Sequence, residues 1–297
     1  MKKTFFLTFG IVILVFVHAE TQAVHGQNKP DTSKETCYEI KKGLTYFAGE
    51  NASENYHKLD IYLPKNRKAG VKVPVVFWVH GGSWIGSDKA GKGELAMAEV
   101  LTKNGIGMVS INYRPSNVFG SGAKHPDHIE DVARALAWCV THIDRYGGSS
   151  KKLFVAGHSA GAHLISLLST DHRYLKAQGL TCKNFCGVIA LSGIYDLTKM
   201  SIPPYWAFDQ AVCKEASPIF CKHHPNVPFL LLCAENDYED CRPEKARAFR
   251  DVLQKRKVRV SFEVVPRCNH NSILEDINKD GNPLAKIIPD FIRAHAP

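Results

Sequence analysis

The chain has 297 residues, 44% of them hydrophobic, which suffices for one substantial core and is typical of a single α/β domain. The formal net charge is +9 at pH 7, but no run of basic residues alternates with aromatic residues, which argues against a nucleic-acid-binding protein. The nine cysteines include no Cys-x-x-Cys spacing, so neither a zinc ribbon nor a thioredoxin-like redox site is expected.

The first 23 residues have the composition of a secretory signal peptide. Two lysines follow the first methionine, and the apolar run over residues 5–17 is too short to span a bilayer comfortably. We therefore predict a secreted or periplasmic protein without stable membrane insertion; an uncleaved N-terminal anchor is the alternative. The predicted organisation is a signal peptide over residues 1–23, a leader segment over 24–42 and one domain over 43–297.

The N-terminal part of this domain predicts a hairpin followed by buried strands. The hairpin strands cover residues 43–48 and 57–63, and the second alternates apolar and polar residues with a period of two. Continuous apolar runs over 73–79 and 107–112 are typical of strands that are covered on both faces. A helix-compatible polar stretch lies between these two runs.

The rest of the domain alternates helices with strands. Helical periodicity is clearest over residues 127–146. Further strands are predicted at 153–156, 185–191, 228–233 and 258–265, with helices after residue 160, over 243–255 and from about 284. This alternation predicts an α/β fold, in which helices cover both faces of a mostly parallel sheet and the hairpin forms an antiparallel edge.

The segment over residues 195–226 interrupts the alternation and predicts a small insertion. Open α/β sheets bind ligands outside the carboxyl ends of their strands, where this insertion would lie. We interpret it as part of the wall of a substrate pocket over the active site. A surface excursion without a ligand role is the alternative.

A nucleophile is predicted at Ser159, within Gly157-His158-Ser159-Ala160-Gly161. The motif lies between a predicted strand and a predicted helix, the context in which Gly-x-Ser-x-Gly forms a nucleophile elbow. The glycines would remove side chains that collide with the neighbouring strand and helix. Without this context, the pattern would indicate only a glycine-rich turn.

A serine hydroxyl needs a base, and His270 follows the last predicted strand, where the catalytic histidine of such a sheet is expected. The acid that orients this histidine should follow the preceding strand. Asp237 is our candidate, and Asp240 and Glu235 are rivals on the same loop. Backbone N–H groups of Gly82, Ser83 and Ala160 are the candidate oxyanion hole.

These motifs together resemble the α/β-hydrolases. The resemblance is carried by His80-Gly81-Gly82-Ser83-Trp84, Asn112-Tyr113-Arg114, the stretch from Gly157 to His163, the stretch from Leu191 to Leu197, Asp237 and His270. The chain is most similar to the hormone-sensitive-lipase-like carboxylesterases, a group that includes kynurenine formamidases and some feruloyl and acetyl esterases. The resemblance implies the α/β-hydrolase fold, a Ser-His-Asp triad and ester hydrolysis. Ser83 replaces the third glycine of the family's His-Gly-Gly-Gly motif.

The sequence therefore predicts a serine carboxylesterase that acts through an acyl-enzyme on a small-molecule or polysaccharide-linked ester. An arylformamidase of the kynurenine formamidase kind is one alternative, and a non-catalytic binding module on a hydrolase scaffold is another. No Gly-x-Gly-x-x-Gly or phosphate loop is present, so no nucleotide cofactor is expected. The histidines lack metal-ligand spacing, and we expect no catalytic metal.

The combination of an export signal and nine cysteines predicts several structural disulfides. Cys241 follows the candidate acid, and Cys268 precedes the candidate base by two residues. A bridge between these two cysteines would clamp the two loops together. This pairing is a hypothesis from placement alone, because connectivity does not follow from sequence.

Overall fold

The computed structural model of the protein describes residues 36–116 and 121–297. The predicted signal peptide and most of the predicted leader lie outside these residues. The described unit runs over Cys37–Pro297. None of its helices has both the length and the apolar character needed to cross a membrane.

An eight-stranded sheet forms the centre of this unit, in the order β1-β2-β4-β3-β5-β6-β7-β8. The β1/β2 and β2/β4 pairs are antiparallel, and the other neighbours are parallel. The strands are β1 Tyr38–Thr45, β2 Lys58–Pro64, β3 Val73–Val79, β4 Gly107–Ile111, β5 Gly148–His158, β6 Val188–Leu191, β7 Phe229–Asn236 and β8 Val260–Asn269. The predicted mostly parallel sheet with an antiparallel edge is confirmed.

Helices pack on both faces of the sheet, as predicted. They are α1 Lys92–Lys103, α2 Asp127–His142, α3 Ala160–Thr170, α4 Arg173–Ala177, α5 Pro243–Lys255, α6 Ser272–Glu275 and α7 Leu284–His295. Buried residues of α2, α3 and α5 belong to one hydrophobic core, and those of α1, α6 and α7 belong to the other. Alternate residues of β3 enter the two cores, with Phe77 in the first and Trp78 in the second. This double burial explains why the strand is a continuous apolar run.

Several predicted boundaries are corrected by the structure. The first strand begins at Tyr38, so residues 38–42 belong to the sheet and not to the leader. They pair with β2, with Tyr38 opposite Pro64, and the register shifts between Lys41 and Leu44. Gly43 lies in this shift with a φ of 67°, a conformation that glycine adopts without strain. β5 begins at Gly148, which pairs with Val73 of β3, and a register shift separates this pair from the next one, Val75 with Leu153.

Candidate active site

Ser159 occupies the sharp turn between β5, which ends at His158, and α3, which begins at Ala160. Its backbone has a φ of 53° and a ψ of −119°, which is strained for a residue with a side chain. The Ser159 N–H donates to the carbonyl oxygen of Leu191 at 2.9 Å, and its carbonyl accepts from the His163 N–H at 3.0 Å. These bonds hold the turn in the geometry of a nucleophile elbow.

The two glycines of the elbow are required by close approach to β3. A Cβ atom on Gly161 would lie 2.0 Å from the Val79 carbonyl oxygen. A Cβ atom on Gly157 would lie 2.8 Å from the same oxygen and 2.6 Å from the Gly161 carbonyl carbon. The start of α3 therefore packs directly against the end of β3, which brings Ser159 beside the loop that follows β3.

His270 and Asp237 form a buried pair at the ends of neighbouring strands β8 and β7. The His270 Nδ1 atom lies 2.6 Å from Asp237 Oδ1. The same carboxylate accepts hydrogen bonds from the backbone N–H of Tyr238 at 2.9 Å and from that of Ala234 at 3.2 Å. These donors hold the carboxylate so that Oδ1 faces the imidazole.

The rival acids of the same loop make other contacts. Asp240 accepts hydrogen bonds from the backbone N–H and the hydroxyl of Ser201, at 2.9 and 2.8 Å. Glu235 accepts one from the backbone N–H of Arg267 at 2.8 Å. Of the three candidates, Asp237 is thus the one that the structure brings to His270.

A second contact ties the histidine loop to the elbow. His158, the residue before Ser159, donates from Nε2 to the carbonyl oxygen of His270 at 2.8 Å. Burial, followed by the neighbouring charge of His270, lowers the pKa of His158 to about 3, so its imidazole is neutral. The two rings are 4.7 Å apart between centroids. His270 is therefore held beside His158, the residue that precedes the candidate nucleophile in the chain.

Ser192 is a residue of the site that sequence reasoning missed. It follows β6, is fully buried, and has a φ of 48°. Its hydroxyl donates to Asp237 Oδ2 at 2.5 Å. One signal was available, because Ser192 is the first polar residue past the carboxyl end of the strand beside β7. The pairing order of β6 and β7, however, comes only from the structure.

The loop after β3 contains Gly82 and Ser83, two of the candidate oxyanion donors. Gly82 and Ser83 have φ angles of 90° and 50°. Within residues 36–116 and 121–297, no protein acceptor binds the backbone N–H of Gly82, Ser83 or Ala160. A Cβ atom on Gly81 would lie 3.1 Å from the Ser159 Cβ, so this loop runs along the nucleophile. Free N–H groups beside a nucleophile can bind a developing negative charge.

Two side chains from other elements, Tyr113 and His163, support this loop. The Tyr113 hydroxyl donates to the Gly81 carbonyl oxygen at 3.1 Å. His163 of α3 accepts from the Trp84 indole N–H at 3.3 Å and donates to the Ala216 carbonyl oxygen at 2.8 Å. Burial lowers the pKa of His163 to about 3, which keeps one ring nitrogen available as an acceptor.

The insertion over residues 195–226 contacts the same loop. The Trp206 indole N–H donates to the Ser83 carbonyl oxygen at 2.9 Å, and the hydrogen bonds between Ser201 and Asp240 join the insertion to the acid loop. The insertion therefore borders both the oxyanion loop and the acid loop. The predicted proximity to the strand ends is confirmed by these contacts.

A family model named BD-FAE matches residues 59–251, more than half of the chain. The chain belongs to the BD-FAE family of α/β-hydrolases. This BD-FAE protein is 31% identical over 243 residues to a probable carboxylic ester hydrolase, LipM, of Mycobacterium tuberculosis, which covers 75% of the chain and 54% of the relative. The chain thus spans about half the length of that relative. It is 29% identical over 244 residues to the kynurenine formamidase of Danio rerio, covering 79% of the chain and 78% of the relative.

Solved structures share the fold of the BD-FAE protein. A truncated carbohydrate esterase from gut microbiota superimposes with a TM-score of 0.74 at 19% identity, covering 89% of this chain and 98% of that one. An inhibited esterase B from Lactobacillus rhamnosis superimposes with a TM-score of 0.77 at 17% identity, covering 96% of both chains. The predicted α/β-hydrolase fold is therefore confirmed.

The cysteines of the BD-FAE protein are all free thiols, in contrast to the predicted disulfides. Cys241 is buried in the core that contains α3, whereas Cys268 packs against the core on the opposite face of the sheet. The predicted bridge between them is therefore not formed. Burial, followed by the charge of Asp237, raises the pKa of Cys241 and keeps this thiol neutral.

Cys241 also belongs to a trio with potential metal-ligand atoms. Its sulfur, one Asp237 oxygen and one His270 nitrogen lie within 4.8 Å of one another, and no other such group is found in the described part of the chain. The carboxylate already accepts hydrogen bonds from Ser192, Ala234, Tyr238 and His270. The Asp237 oxygen and the His270 nitrogen of this trio are close because they are hydrogen-bonded to each other.

Proposed function

We propose that the protein is a serine carboxylesterase, in which Ser159 is the nucleophile, His270 the general base and Asp237 the residue that orients the imidazole. The observation that carries the proposal is the buried hydrogen bond of 2.6 Å between His270 and Asp237, on a loop bonded to the residue before Ser159. This arrangement leaves the second imidazole nitrogen for proton transfer with Ser159.

The reaction follows from these positions. Ser159 Oγ attacks the ester carbonyl carbon while His270 Nε2 accepts the hydroxyl proton. The tetrahedral oxyanion accepts hydrogen bonds from the N–H groups of Gly82, Ser83 and Ala160. His270 then donates its proton to the leaving alcohol, which forms the acyl-enzyme. Water, deprotonated by the same histidine, releases the carboxylic acid and restores Ser159.

Replacement of the nucleophile tests the proposal. Ser159→Ala should lower the turnover of p-nitrophenyl acetate by about a millionfold, as loss of the nucleophile does in other triad enzymes. The wild-type protein, but not Ser159→Ala, should react covalently with a fluorophosphonate. A folded Ser159→Ala variant with wild-type turnover would refute the assignment. A wild-type protein that neither reacts nor hydrolyses esters would instead be the non-catalytic binding module.

Amide hydrolysis of the arylformamidase type is the second candidate. It is favoured by the similarity to the kynurenine formamidase of Danio rerio, of which the alignment covers 78%. The same serine, histidine and oxyanion groups would cleave a formamide. The ratio of kcat/KM for N-formyl-kynurenine to that for phenyl acetate separates the two functions, and a ratio well above one identifies the formamidase.

We also propose that the protein is exported, on the basis of its charged and then apolar N-terminal segment. Export places the ester substrate outside the cytoplasm and weighs against a role in intracellular kynurenine breakdown. Cell fractionation and N-terminal sequencing of the mature protein test this, and a mature chain that retains residues 1–23 in the cytoplasmic fraction contradicts it.

A further inference from the structure

Exposed apolar side chains are concentrated beside the candidate active site. The large hydrophobic residues exposed in the described ranges are Val71, Leu95, Ile202, Tyr205, Trp206, Phe220 and Tyr238. Five of these, Ile202, Tyr205, Trp206, Phe220 and Tyr238, lie on the insertion and on the acid loop, two segments joined through Ser201 and Asp240. A concentration of exposed apolar surface at one place marks a binding site.

Tyr238 is the member of this group in direct contact with the base. Its ring stacks on the imidazole of His270 with a centroid distance of 4.2 Å and an interplanar angle of 23°. The side chain is nevertheless 57% exposed. Its position is set by its own backbone N–H, which donates to Asp237 Oδ1 at 2.9 Å. Tyr238 therefore extends the surface of the catalytic imidazole outward as a flat apolar wall.

Trp206 contacts the loop that carries the candidate oxyanion donors. Its indole N–H is bonded to the Ser83 carbonyl oxygen, and its side chain is 37% exposed. In the proposed reaction the ester carbonyl oxygen points to the Ser83 loop, while the leaving oxygen receives its proton from His270. The alcohol half of the ester therefore leaves on the His270 side, where Tyr238 is the exposed side chain.

We propose that Tyr238 forms a leaving-group subsite that selects esters of ring-bearing alcohols. An exposed tyrosine face binds a flat apolar surface, which is either an aryl ring or the C–H face of a sugar ring. A linear alkyl chain offers less contact to such a wall. This inference rests on the proposed esterase function and names the alcohol class on which that function acts.

Three acetates with the same acyl group and aliphatic leaving oxygens test the subsite: benzyl acetate, methyl 6-O-acetylglucoside and heptyl acetate. The wild type should have a higher kcat/KM for at least one ring ester than for heptyl acetate. Tyr238→Leu should lower that preference about 3- to 10-fold, the range of a lost aromatic contact. Tyr238→Phe keeps the ring and should keep the preference. Val71→Ala removes an exposed apolar side chain outside the insertion and the acid loop, and it is the control.

The results separate this proposal from the esterase assignment. A benzyl preference identifies an aryl alcohol and a glucoside preference identifies a sugar alcohol, and either one supports the subsite. The subsite is refuted when Ser159-dependent hydrolysis shows no ring preference. It is also refuted when Tyr238→Leu lowers kcat/KM equally for all three acetates. Hydrolysis that persists in Ser159→Ala refutes the esterase assignment itself.

Discussion

Ser192→Ala removes one hydroxyl from the contacts of Asp237 and leaves the His270–Asp237 bond in place. The lost bond is 2.5 Å long, fully buried, and donates to the oxygen that does not face His270. That oxygen would keep only the backbone N–H of Ala234, at 3.2 Å. The carboxylate would then be held less firmly, and it would fix the orientation of the His270 imidazole less well.

The expected loss of rate in Ser192→Ala follows from the type of hydrogen bond that is removed. A hydrogen bond to a charged group contributes about 1.5–3 kcal/mol, which corresponds to roughly a 10- to 150-fold loss of rate. Loss of the acid function of a triad lowers kcat about 10⁴-fold, and this is the upper limit for the effect of Ser192→Ala. We expect kcat and kcat/KM to fall together, because the bond orients a group that acts in the transition state.

Steady-state hydrolysis of p-nitrophenyl acetate measures the effect, with folding checked by circular dichroism. Ser166→Ala is the matched control, because Ser166 is a fully buried serine of α3 whose hydroxyl has no partner among the described residues. This control should retain wild-type kcat. A folded Ser192→Ala variant with kcat within twofold of the wild type would show that Ser192 does not hold Asp237 in its working position.

Two further predictions concern stability. Gly82→Ala should lower the free energy of unfolding by about 3 kcal/mol or more and abolish turnover, because its Cβ would lie 2.2 Å from the Gly86 carbonyl oxygen at a φ of 90°. Gly86→Ala is the control, because no atom lies within 4 Å of the added Cβ atom, and it should change the free energy of unfolding by less than about 1 kcal/mol. Equal urea midpoints for the two variants would contradict this prediction. Burial lowers the pKa of several histidines to about 3 or 4, so the unfolded state binds more protons than the folded state below pH 6.5. Stability should therefore be retained above that pH and fall below it, by up to about 1.4 kcal/mol per pH unit for each histidine. Glu94, whose pKa burial raises to about 7, opposes this in part. Urea unfolding at pH 7.5 and 5.5 checks the sign, and equal stabilities would refute it. The histidines concerned are His80, His125, His128, His158 and His163.

The sequence by itself determined the fold class, because the relevant signals are local. A continuous apolar run such as β3 can be buried on both faces only in a sheet covered by helices on both sides. Gly157 and Gly161 around Ser159 predicted the elbow because a strand-to-helix turn this tight excludes side chains, and the structure shows the backbone contacts that exclude them. The position of His270 after the last strand followed from chain order alone.

Only the tertiary structure decided which side chains meet. Asp237, Asp240 and Glu235 lie on one short segment, and the choice of Asp237 depends on the direction in which each carboxylate points. The contact of Ser192 with Asp237 requires β6 to lie next to β7, a pairing that spans 45 residues of chain. The stacking of Tyr238 on the imidazole depends in the same way on β7 lying beside β8. Periodicity specifies which face of a strand is buried, whereas these contacts depend on strand order and register, which are set by distant parts of the chain.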